Sequence, residues 1–324
     1  MRPRLFWSVL ILFVLAGGAI GAWQAVGYYY TKPGPANAET TIIVPKGAGV
    51  GQVADLLSKA GVVGNRRQFR ILTWVYGVDR DLKAGEYSIP PHASVRGITA
   101  VLRSGKTVIR QVTVPEGLTS QEVVSILNGA YGLVGEITAT PPEGSLLPET
   151  YRYIYGDTKA EMIRRMSKAM EDELDVLWAG RDPSVPFHSP DEAVILASLV
   201  EKETAVPAER SRIAGVFLNR LKRGMRLQSD PTVAYGLDQG GSLGRALTRD
   251  DLKAANPYNT YQIDGLPPGP IANPGKDALS AVLHPQATDE LYFVADGTGG
   301  HSFAKTLNEH NQNVRQWRRL RKGR

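Results

Sequence analysis

The sequence contains no cysteine, which excludes a disulfide scaffold, a thiolate zinc site and a cysteine nucleophile. It also lacks a GxxxxGKS/T phosphate-binding loop and a GxGxxG dinucleotide fingerprint. The 5 histidines show no HExxH or comparably tight spacing, so neither a metal site nor a cofactor is predicted. The formal net charge is +6, but residues 315–324 carry six positive charges and no acid. The rest of the chain is neutral overall, and nucleic acid is not a predicted partner.

Charged residues are also absent between Leu5 and Thr31. As a helix, the apolar run 5–26 would be about 33 Å long at about 1.5 Å per residue, enough to cross a bilayer core of about 30 Å. Arg2 and Arg4 precede it, so the positive-inside rule predicts a cytoplasmic N-terminus. Residues 1–30 are therefore predicted to be a cytoplasmic tip and a single transmembrane anchor. The alternative is a signal peptide cleaved near Ala19-Ile20-Gly21, and in both cases the rest of the chain lies outside the cytoplasm.

A linker and a small α+β region follow the anchor. Residues 31–40 are rich in Pro, Gly and Ala and are predicted to be the linker. Residues 41–140 begin with a strand–helix–helix–strand pattern that is typical of a small α+β module. Within this region Val44-Pro45-x-Gly47 recurs as Val114-Pro115-x-Gly117. The recurrence is either an internal repeat or the independent use of similar turn chemistry.

Residues 145–324 form a second predicted domain, which begins with long helices. A helix is predicted from Ser189-Pro190-Asp191-Glu192, a capping box with proline in the first turn, to about Thr204. Residues 225–273 are dense in Gly, Pro, Asn, Tyr and Asp, a composition that predicts loops shaped around a ligand.

Two glutamates lie near the end of the predicted 189–204 helix, on different faces. A carboxylate among apolar side chains is poorly solvated, and its pKa rises from about 4.3 towards neutrality. Glu203 is therefore a candidate general acid at pH 7, whereas Glu201 lies about 200° around the helix. The alternative is that Glu203 sits at a helix end and bends into solvent. The apolar residues that share the face of Glu203 are Leu196, Leu199 and Val200.

Seven ordered sequence blocks connect this helix to the rest of the second domain. The first is Leu196-Ala-Ser-Leu-Val-Glu-Lys-Glu203-Thr-Ala. The others are Asn219-Arg-Leu-x-x-Gly-Met-Arg-Leu-Gln-Ser-Asp-Pro-Thr-Val233, Tyr258-Asn-Thr-Tyr261, Gly265-Leu-Pro-Pro-Gly-Pro-Ile271, Asn273-Pro-Gly275, Tyr292-Phe-Val-Ala-Asp-Gly297 and Gly300-His-x-Phe303. In these blocks the chain resembles the MltG-type (YceG-like) endolytic murein transglycosylases. The resemblance runs from the anchor to the last helix and is densest over residues 192–311.

The resemblance implies an α+β protein with a single N-terminal transmembrane helix, a LysM-like small α+β module and a mixed helical, loop-rich catalytic domain. It implies a lyase that cuts nascent peptidoglycan strands internally between N-acetylmuramic acid and N-acetylglucosamine. The product carries a 1,6-anhydro end, and the cut could terminate glycan elongation. The glutamate–hydroxyl pair of lytic transglycosylases corresponds to Glu203-Thr204, which selects Glu203 as the catalytic residue.

Further residues are candidates on the same basis, although each could equally be part of loop structure. Carboxylates or hydroxyls that could assist the acid are Glu201, Thr204, Asp230 and Glu149. Residues that could contact sugars through hydrogen bonds or stacking are Gln228, Tyr235, Asn259, Tyr261 and His301.

The predicted partners are peptidoglycan glycan strands, the membrane and, as candidates, peptidoglycan synthases. The predicted location is the inner (plasma) membrane, with the catalytic domain on the periplasmic side. One alternative function is a hydrolytic muramidase that uses a second carboxylate and water, which would leave reducing ends. The other is a non-catalytic wall-binding or division scaffold, which would be inactive on sacculi.

Overall fold

The computed structural model describes residues 3–238 and 243–322. The chain forms two compact units, of which the first is Met1–Arg110 with Tyr153–Gly156 and the second is Gln111–Arg152 with Asp157–Arg324. The fold is mixed α+β, as predicted. The first unit ends before the boundary of the region 41–140 that the sequence grouped together, because residues 111–140 belong to the second unit. The LysM-like character of that region stays a prediction.

Helix α1 (Pro3–Thr31) carries the apolar run. Its segment Phe6–Thr31 is long and apolar enough to cross a membrane, and most of its side chains are exposed. At its end Tyr30 stacks on Tyr76 with ring centroids 3.8 Å apart and hydrogen-bonds the Thr99 hydroxyl at 3.3 Å. The end of α1 is therefore fixed to the first unit. Arg2, on which the predicted orientation partly depends, lies outside the described residues.

The first unit confirms the predicted strand–helix–helix–strand order. β-Branched residues favour the first strand, whose alternate residues Ile42 and Val44 are buried. The two strands pair antiparallel, from Thr40 opposite Ile89 to Val44 opposite Gly85. The elements are β1 (Thr40–Val44), α2 (Val50–Lys59), α3 (Arg66–Val75), β2 (Gly85–Ile89) and α4 (Val95–Ser104).

The two Val-Pro-x-Gly sequences both connect a strand to a helix. Gly47 (φ 80°) follows β1, and Gly117 (φ 76°) follows β3 (Ile109–Thr113), which pairs with β4 (Thr150–Ile154). The left-handed backbone at both turns favours glycine. The helix after Gly117 is α5 (Ser120–Gly129), whose N-terminus is closed by a capping box between Thr119 and Glu122.

The rest of the second unit is mainly helical. The predicted loop region 225–273 contains a helix, α9, that its composition did not indicate, and residues 239–242 of that region lie outside the described residues. The elements are α6 (Lys159–Ala179), α7 (Pro190–Glu203), α8 (Arg210–Lys222), α9 (Asp230–Asp238), α10 (Lys276–Leu283), β5 (Tyr292–Ala295), β6 (His301–Ala304) and α11 (Leu307–Lys322).

Helix α7 is the central element of the second unit. Its N-terminus begins at the predicted position, with Pro190 in the first turn and the Ser189 hydroxyl accepting a hydrogen bond from the backbone N–H of Glu192. The predicted capping box is only half formed, because the Glu192 carboxylate accepts the N–H of His188 at 2.7 Å. Helices α6, α8, α9 and α10 all pack against it. Residues Ala193, Val194 and Leu196–Val200 of α7 are buried, which makes the helix a rigid support for its last residue.

Candidate active site

Glu203 is the last residue of α7 and lies where the helix meets an open cleft of about 470 Å³. The side chain is half-buried, and its Oε1 accepts a hydrogen bond of 2.7 Å from the Ser229 hydroxyl. Ser229 is held in turn by its backbone N–H, which donates to the Thr260 hydroxyl oxygen at 2.9 Å. The cleft is lined by Glu203, Arg220, Leu227, Gln228, Asp230, Tyr261, Tyr292, Phe293, Val294, Ala295, His301, Leu307, His310 and Trp317.

The surroundings of Glu203 raise its pKa to about 7. Burial is the main cause, because removal from water disfavours the charged carboxylate. The hydrogen bond from Ser229 lowers the pKa, the negative charge of Asp230 raises it, and His301 lowers it. The raised pKa predicted from the apolar helix face is confirmed. At neutral pH a large fraction of Glu203 therefore carries a proton that it can donate.

Asp230 and Tyr261 form the part of the cleft next to Glu203. The Tyr261 hydroxyl donates a hydrogen bond of 2.7 Å to Asp230 Oδ1. Burial and this bond to a carboxylate raise the pKa of Tyr261 above its usual value, so it remains a donor at neutral pH. Asp230 is a second carboxylate in the same cleft, but its oxygen is already engaged by a neighbouring side chain.

Glu201 lies in a different environment from Glu203, as the helical spacing predicts. Its side chain is 5% exposed and pairs with Arg210 at 3.2 Å, and its Oε2 accepts the backbone N–H of Gly275 at 2.9 Å. Arg210 also pairs with Glu116 at 3.0 Å and with Asp277 at 3.1 Å. We call Arg210 and its three carboxylate partners, Glu116, Glu201 and Asp277, the Arg210 cluster. Glu201 is not among the described residues that line the cleft.

Thr204 and Glu149 also lie away from the cleft lining. Thr204 is buried, has extended backbone angles (φ −140°, ψ 133°), and its hydroxyl oxygen accepts the N–H of Val206 at 3.0 Å. It therefore ends the helix and stabilises the following turn. Glu149 is exposed, and its carboxylate accepts the N–H of Thr150 at 3.2 Å. The geometry brings neither group to the Glu203 carboxylate.

Gln228 lines the cleft and adopts a left-handed backbone conformation (φ 53°), which is uncommon for a residue other than glycine. Such conformations persist where surrounding contacts hold them and often occur at functional sites. The Gln228 N–H donates to Thr260 O at 3.1 Å, and its side-chain oxygen accepts a hydrogen bond from Arg220. The Gln228 amide group is thus held at the cleft wall beside Arg220.

His301 is in the cleft and is held by Glu209. The His301 backbone N–H donates to Glu209 Oε1 at 2.9 Å, and its Nδ1 lies 2.8 Å from Glu209 Oε2. The imidazole also meets Phe293 edge-on, with ring centroids 5.4 Å apart. These contacts fix the ring orientation, so its Nε2 side can face a ligand without further ordering.

Two of the predicted sugar contacts have other positions. Asn259 is fully buried, and its amide donates to the carbonyl oxygens of Asp251, Leu252 and Ala254. It organises a turn rather than the cleft. Tyr235 lies in a neighbouring cavity of about 610 Å³, which shares Asp230 with the cleft, and its hydroxyl donates to Glu143 at 3.3 Å.

The sequence-based prediction missed Arg220, Tyr292 and His310, which are polar residues that line the cleft, and Ser229, which donates to Glu203. Arg220 is 7% exposed, its guanidinium lies 5.6 Å from the centre of the Tyr292 ring, and its Nε has no hydrogen-bond partner among the described residues. His310 stacks on Tyr292, with the ring centroids 5.2 Å apart. Ser229, Arg220 and Tyr292 all stand inside the sequence blocks quoted above, which was the available signal.

Removing the Ser229 hydroxyl tests the tuning of Glu203. Because this hydrogen bond favours the carboxylate, Ser229→Ala is expected to raise the pKa of Glu203 further and to move the basic limb of kcat/KM to higher pH. The measurement is the pH dependence of glycan release from sacculi. Ser125→Ala, which removes an exposed hydroxyl of α5, is the control and should leave the profile in place. An unmoved or acid-shifted limb in Ser229→Ala would contradict the assignment.

The chain is similar to known proteins over most of its length. The sequence model of the YceG-like family matches residues 42–316. The chain belongs to the YceG-like family.

Curated relatives carry one name. A protein of Bacillus subtilis (strain 168) named "Endolytic murein transglycosylase" is 33% identical, over 90% of this chain and 89% of its own length. A protein of the same name from Streptococcus pneumoniae (strain ATCC BAA-255 / R6) is 29% identical over 95% of this chain, which spans 64% of that protein. Among solved structures, the crystal structure of a YceG-like protein from Listeria monocytogenes is 32% identical, with a TM-score of 0.50 over 85% of this chain and 98% of its own.

Proposed function

We propose that this chain is an endolytic peptidoglycan lytic transglycosylase. It cleaves the bond between N-acetylmuramic acid and N-acetylglucosamine within glycan strands and leaves a 1,6-anhydro end. The observation that carries the proposal is the half-buried carboxyl group of Glu203, which has a pKa of about 7 and lies at an open cleft. Membership of a family whose curated relatives bear the name endolytic murein transglycosylase supports it.

One carboxyl group serves both halves of the reaction. Protonated Glu203 donates its proton to the glycosidic oxygen as the bond to C1 breaks and positive charge develops on the ring. The resulting carboxylate then accepts the proton of the C6 hydroxyl of the same sugar, whose oxygen attacks C1. The proton balance closes, because Glu203 ends protonated and no water is consumed. An intramolecular nucleophile has a high effective molarity, so positioning replaces the activated water of a hydrolase.

The neighbouring groups prepare Glu203 for both roles. The Ser229 hydroxyl stabilises the carboxylate, while the charge of Asp230 and burial favour the protonated form. Because these influences oppose one another, the pKa stays near neutrality, which is the best value for a group that gives and then takes a proton. Gln228 and His301, both already oriented by protein contacts, contact the sugar hydroxyl or acetamido groups on either side.

The alternative function, a hydrolytic muramidase, is supported by the position of Asp230. It is a second carboxylate in the cleft, and a hydrolase would use it to activate water. Tyr261 donates a hydrogen bond to this carboxylate, and the negative charge of Asp230 raises the pKa of Glu203, which favours a role in keeping Glu203 protonated.

The proposed location depends on α1. This helix crosses the inner membrane once with the N-terminus in the cytoplasm, so the chain after α1 lies on the periplasmic side, next to newly made strands. The first unit acts as a LysM-like module that holds glycan, and peptidoglycan synthases supply the substrate. The length and apolar character of Phe6–Thr31 support the anchor.

Products released from purified sacculi distinguish the two reactions. We expect muropeptides ending in anhydromuramic acid, lighter than the hydrolytic products by the mass of one water. Internal cuts should predominate, so long glycan strands should shorten before disaccharides accumulate. Mass spectrometry of the digest is the measurement. Reducing ends would overturn the transglycosylase and support the muramidase, and no release at all would support a binding scaffold.

A further inference from the structure

Helix α3 presents an exposed apolar and basic stripe to solvent. Its inward face is buried through Phe69, Leu72 and Thr73. On the opposite face Ile71 is 59% and Trp74 72% exposed, although both are large apolar side chains. Residues 67, 70, 71 and 74 follow the i, i+3, i+4, i+7 spacing of one helix face. We call the stripe of Arg67, Arg70, Ile71 and Trp74 the α3 patch.

The α3 patch carries positive charge beside its apolar groups. Neither Arg67 nor Arg70 forms an ion pair with any described residue, whereas Arg66 next to them pairs with Asp55 at 3.0 Å. The patch borders a groove of about 520 Å³, whose other walls are Val50 and Asp79. Long basic side chains around an aromatic and an aliphatic group are typical of surfaces that lie in the headgroup region of a bilayer.

The contacts of α1 place the α3 patch at the height of the membrane surface. Tyr76, two residues after Trp74, stacks on Tyr30 of α1, and its ring centroid lies 6.4 Å from that of Trp23. Trp23 and Tyr28 of α1 are 64% and 59% exposed, as interfacial aromatics would be. The end of α3 is thus fixed beside the last turns of α1, where the apolar run gives way to the linker.

We infer that the α3 patch is a second membrane contact, which lies on an anionic phospholipid surface. This inference rests on the proposed anchoring of α1. Ile71 and Trp74 enter the headgroup and upper acyl region, while Arg67 and Arg70 meet lipid phosphates. Two contacts fix the orientation of the first unit on the membrane, whereas a single helix would leave it free to rotate.

The absence of cysteine makes a direct test possible in the full chain. Ile71→Cys, Ile20→Cys and Ile109→Cys are each labelled with a polarity-sensitive fluorophore and reconstituted into phosphatidylcholine–phosphatidylglycerol vesicles. Ile20 lies within α1 and is 61% exposed, so it reports on the anchor. Ile109 is 63% exposed. The N–H of the preceding residue, Val108, donates to the carbonyl oxygen of Glu86, which lies at the end of the β1–β2 sheet that is farther from the linker. Ile109 is the aqueous control.

We expect a blue-shifted emission and loss of iodide quenching at positions 20 and 71, with position 109 remaining quenchable. The double change Arg67→Glu and Arg70→Glu should restore quenching at position 71 and leave position 20 protected. Quenching at 71 equal to that at 109, with 20 protected, would overturn the second contact and leave the anchor intact. Protection at 109 as well would show general occlusion and would also overturn it. Quenching at 20 would overturn the anchor itself, and the α3 contact with it.

Discussion

Glu203→Gln is expected to keep the fold and to lose about two to four orders of magnitude in turnover, the range for removing a general acid–base group. The amide has nearly the same volume as the carboxyl group, and its oxygen can still accept the hydrogen bond that Ser229 donates at 2.7 Å. It has no proton to give to a glycosidic oxygen. The measurement is the initial rate of muropeptide release from sacculi, with thermal unfolding to show that the variant is folded.

Two other glutamates are the matched controls for this substitution. Glu149→Gln changes an exposed carboxylate outside the cleft and should leave turnover unchanged. Glu201→Gln changes the other carboxylate of the same helix, which pairs with Arg210, and should reduce turnover far less than Glu203→Gln. Comparable losses in Glu201→Gln and Glu203→Gln would contradict the assignment of the acid.

The same variant has an expected signature in stability. The pKa of Glu203 is about 7 in the folded protein and about 4.3 in an unfolded chain, so the folded state binds the proton more tightly. In the wild type this contribution to stability is fully present below about pH 4.3 and is lost as pH rises through 7. Glu203→Gln has no such titration. Its thermal midpoint should therefore rise relative to the wild type between pH 5 and pH 8, while its turnover stays low.

The local features of the site could be predicted from the sequence. The capping box and proline at residues 189–192 predicted the start of α7, and helical spacing separated Glu203 from Glu201. The structure gives these two carboxylates separate partners, Ser229 and Arg210, as that spacing requires. Periodicity is sufficient here because both inferences concern neighbours along one helix.

The residues that complete the cleft could not be found in this way. Ser229 is 26 positions from Glu203 and is brought to it by packing between elements, to which periodicity is blind. Asn259 was a candidate sugar contact because it stands in one of the blocks that carry the resemblance and its amide can form hydrogen bonds. In the structure its amide donates instead to three backbone carbonyl oxygens of a turn. Composition does not reveal whether a polar side chain bonds the local backbone or a ligand. Helix α9 was missed for the same reason, since glycine and proline around it suggest loops.

The second Val-Pro-x-Gly turn shows how the fold supports the catalytic helix. The Gly117 carbonyl accepts a hydrogen bond of 3.1 Å from Lys202, and Glu116 pairs with Arg210 at 3.0 Å. The Gly117 N–H donates to Asn273 O, also at 3.0 Å. This turn therefore holds the end of α7 at Lys202 and, through Arg210, at Glu201. The Arg210 cluster is the charged part of that support.

Arg210→Met is accordingly expected to lower the free energy of unfolding by about 3–5 kcal/mol, the usual cost of removing one partner of a buried ion pair. Arg210 is 10% exposed and Glu201 5% exposed, so the substitution leaves a buried carboxylate with only the Gly275 N–H as a partner. Denaturant unfolding of the full chain in detergent is the measurement.

Arg226→Met is the matched control for Arg210→Met, because it removes an arginine from an exposed pair with Asp264, in which the side chains are 45% and 79% exposed. Such a pair contributes only about 0–1 kcal/mol. Adding Glu201→Gln to Arg210→Met should recover part of the lost stability, since the uncompensated charge is then gone, and a double-mutant cycle measures the coupling. A loss in Arg210→Met no larger than in Arg226→Met would mean that the end of α7 is held by apolar packing alone. In that case the position of Glu203 would depend on the buried face of the helix and not on the Arg210 cluster.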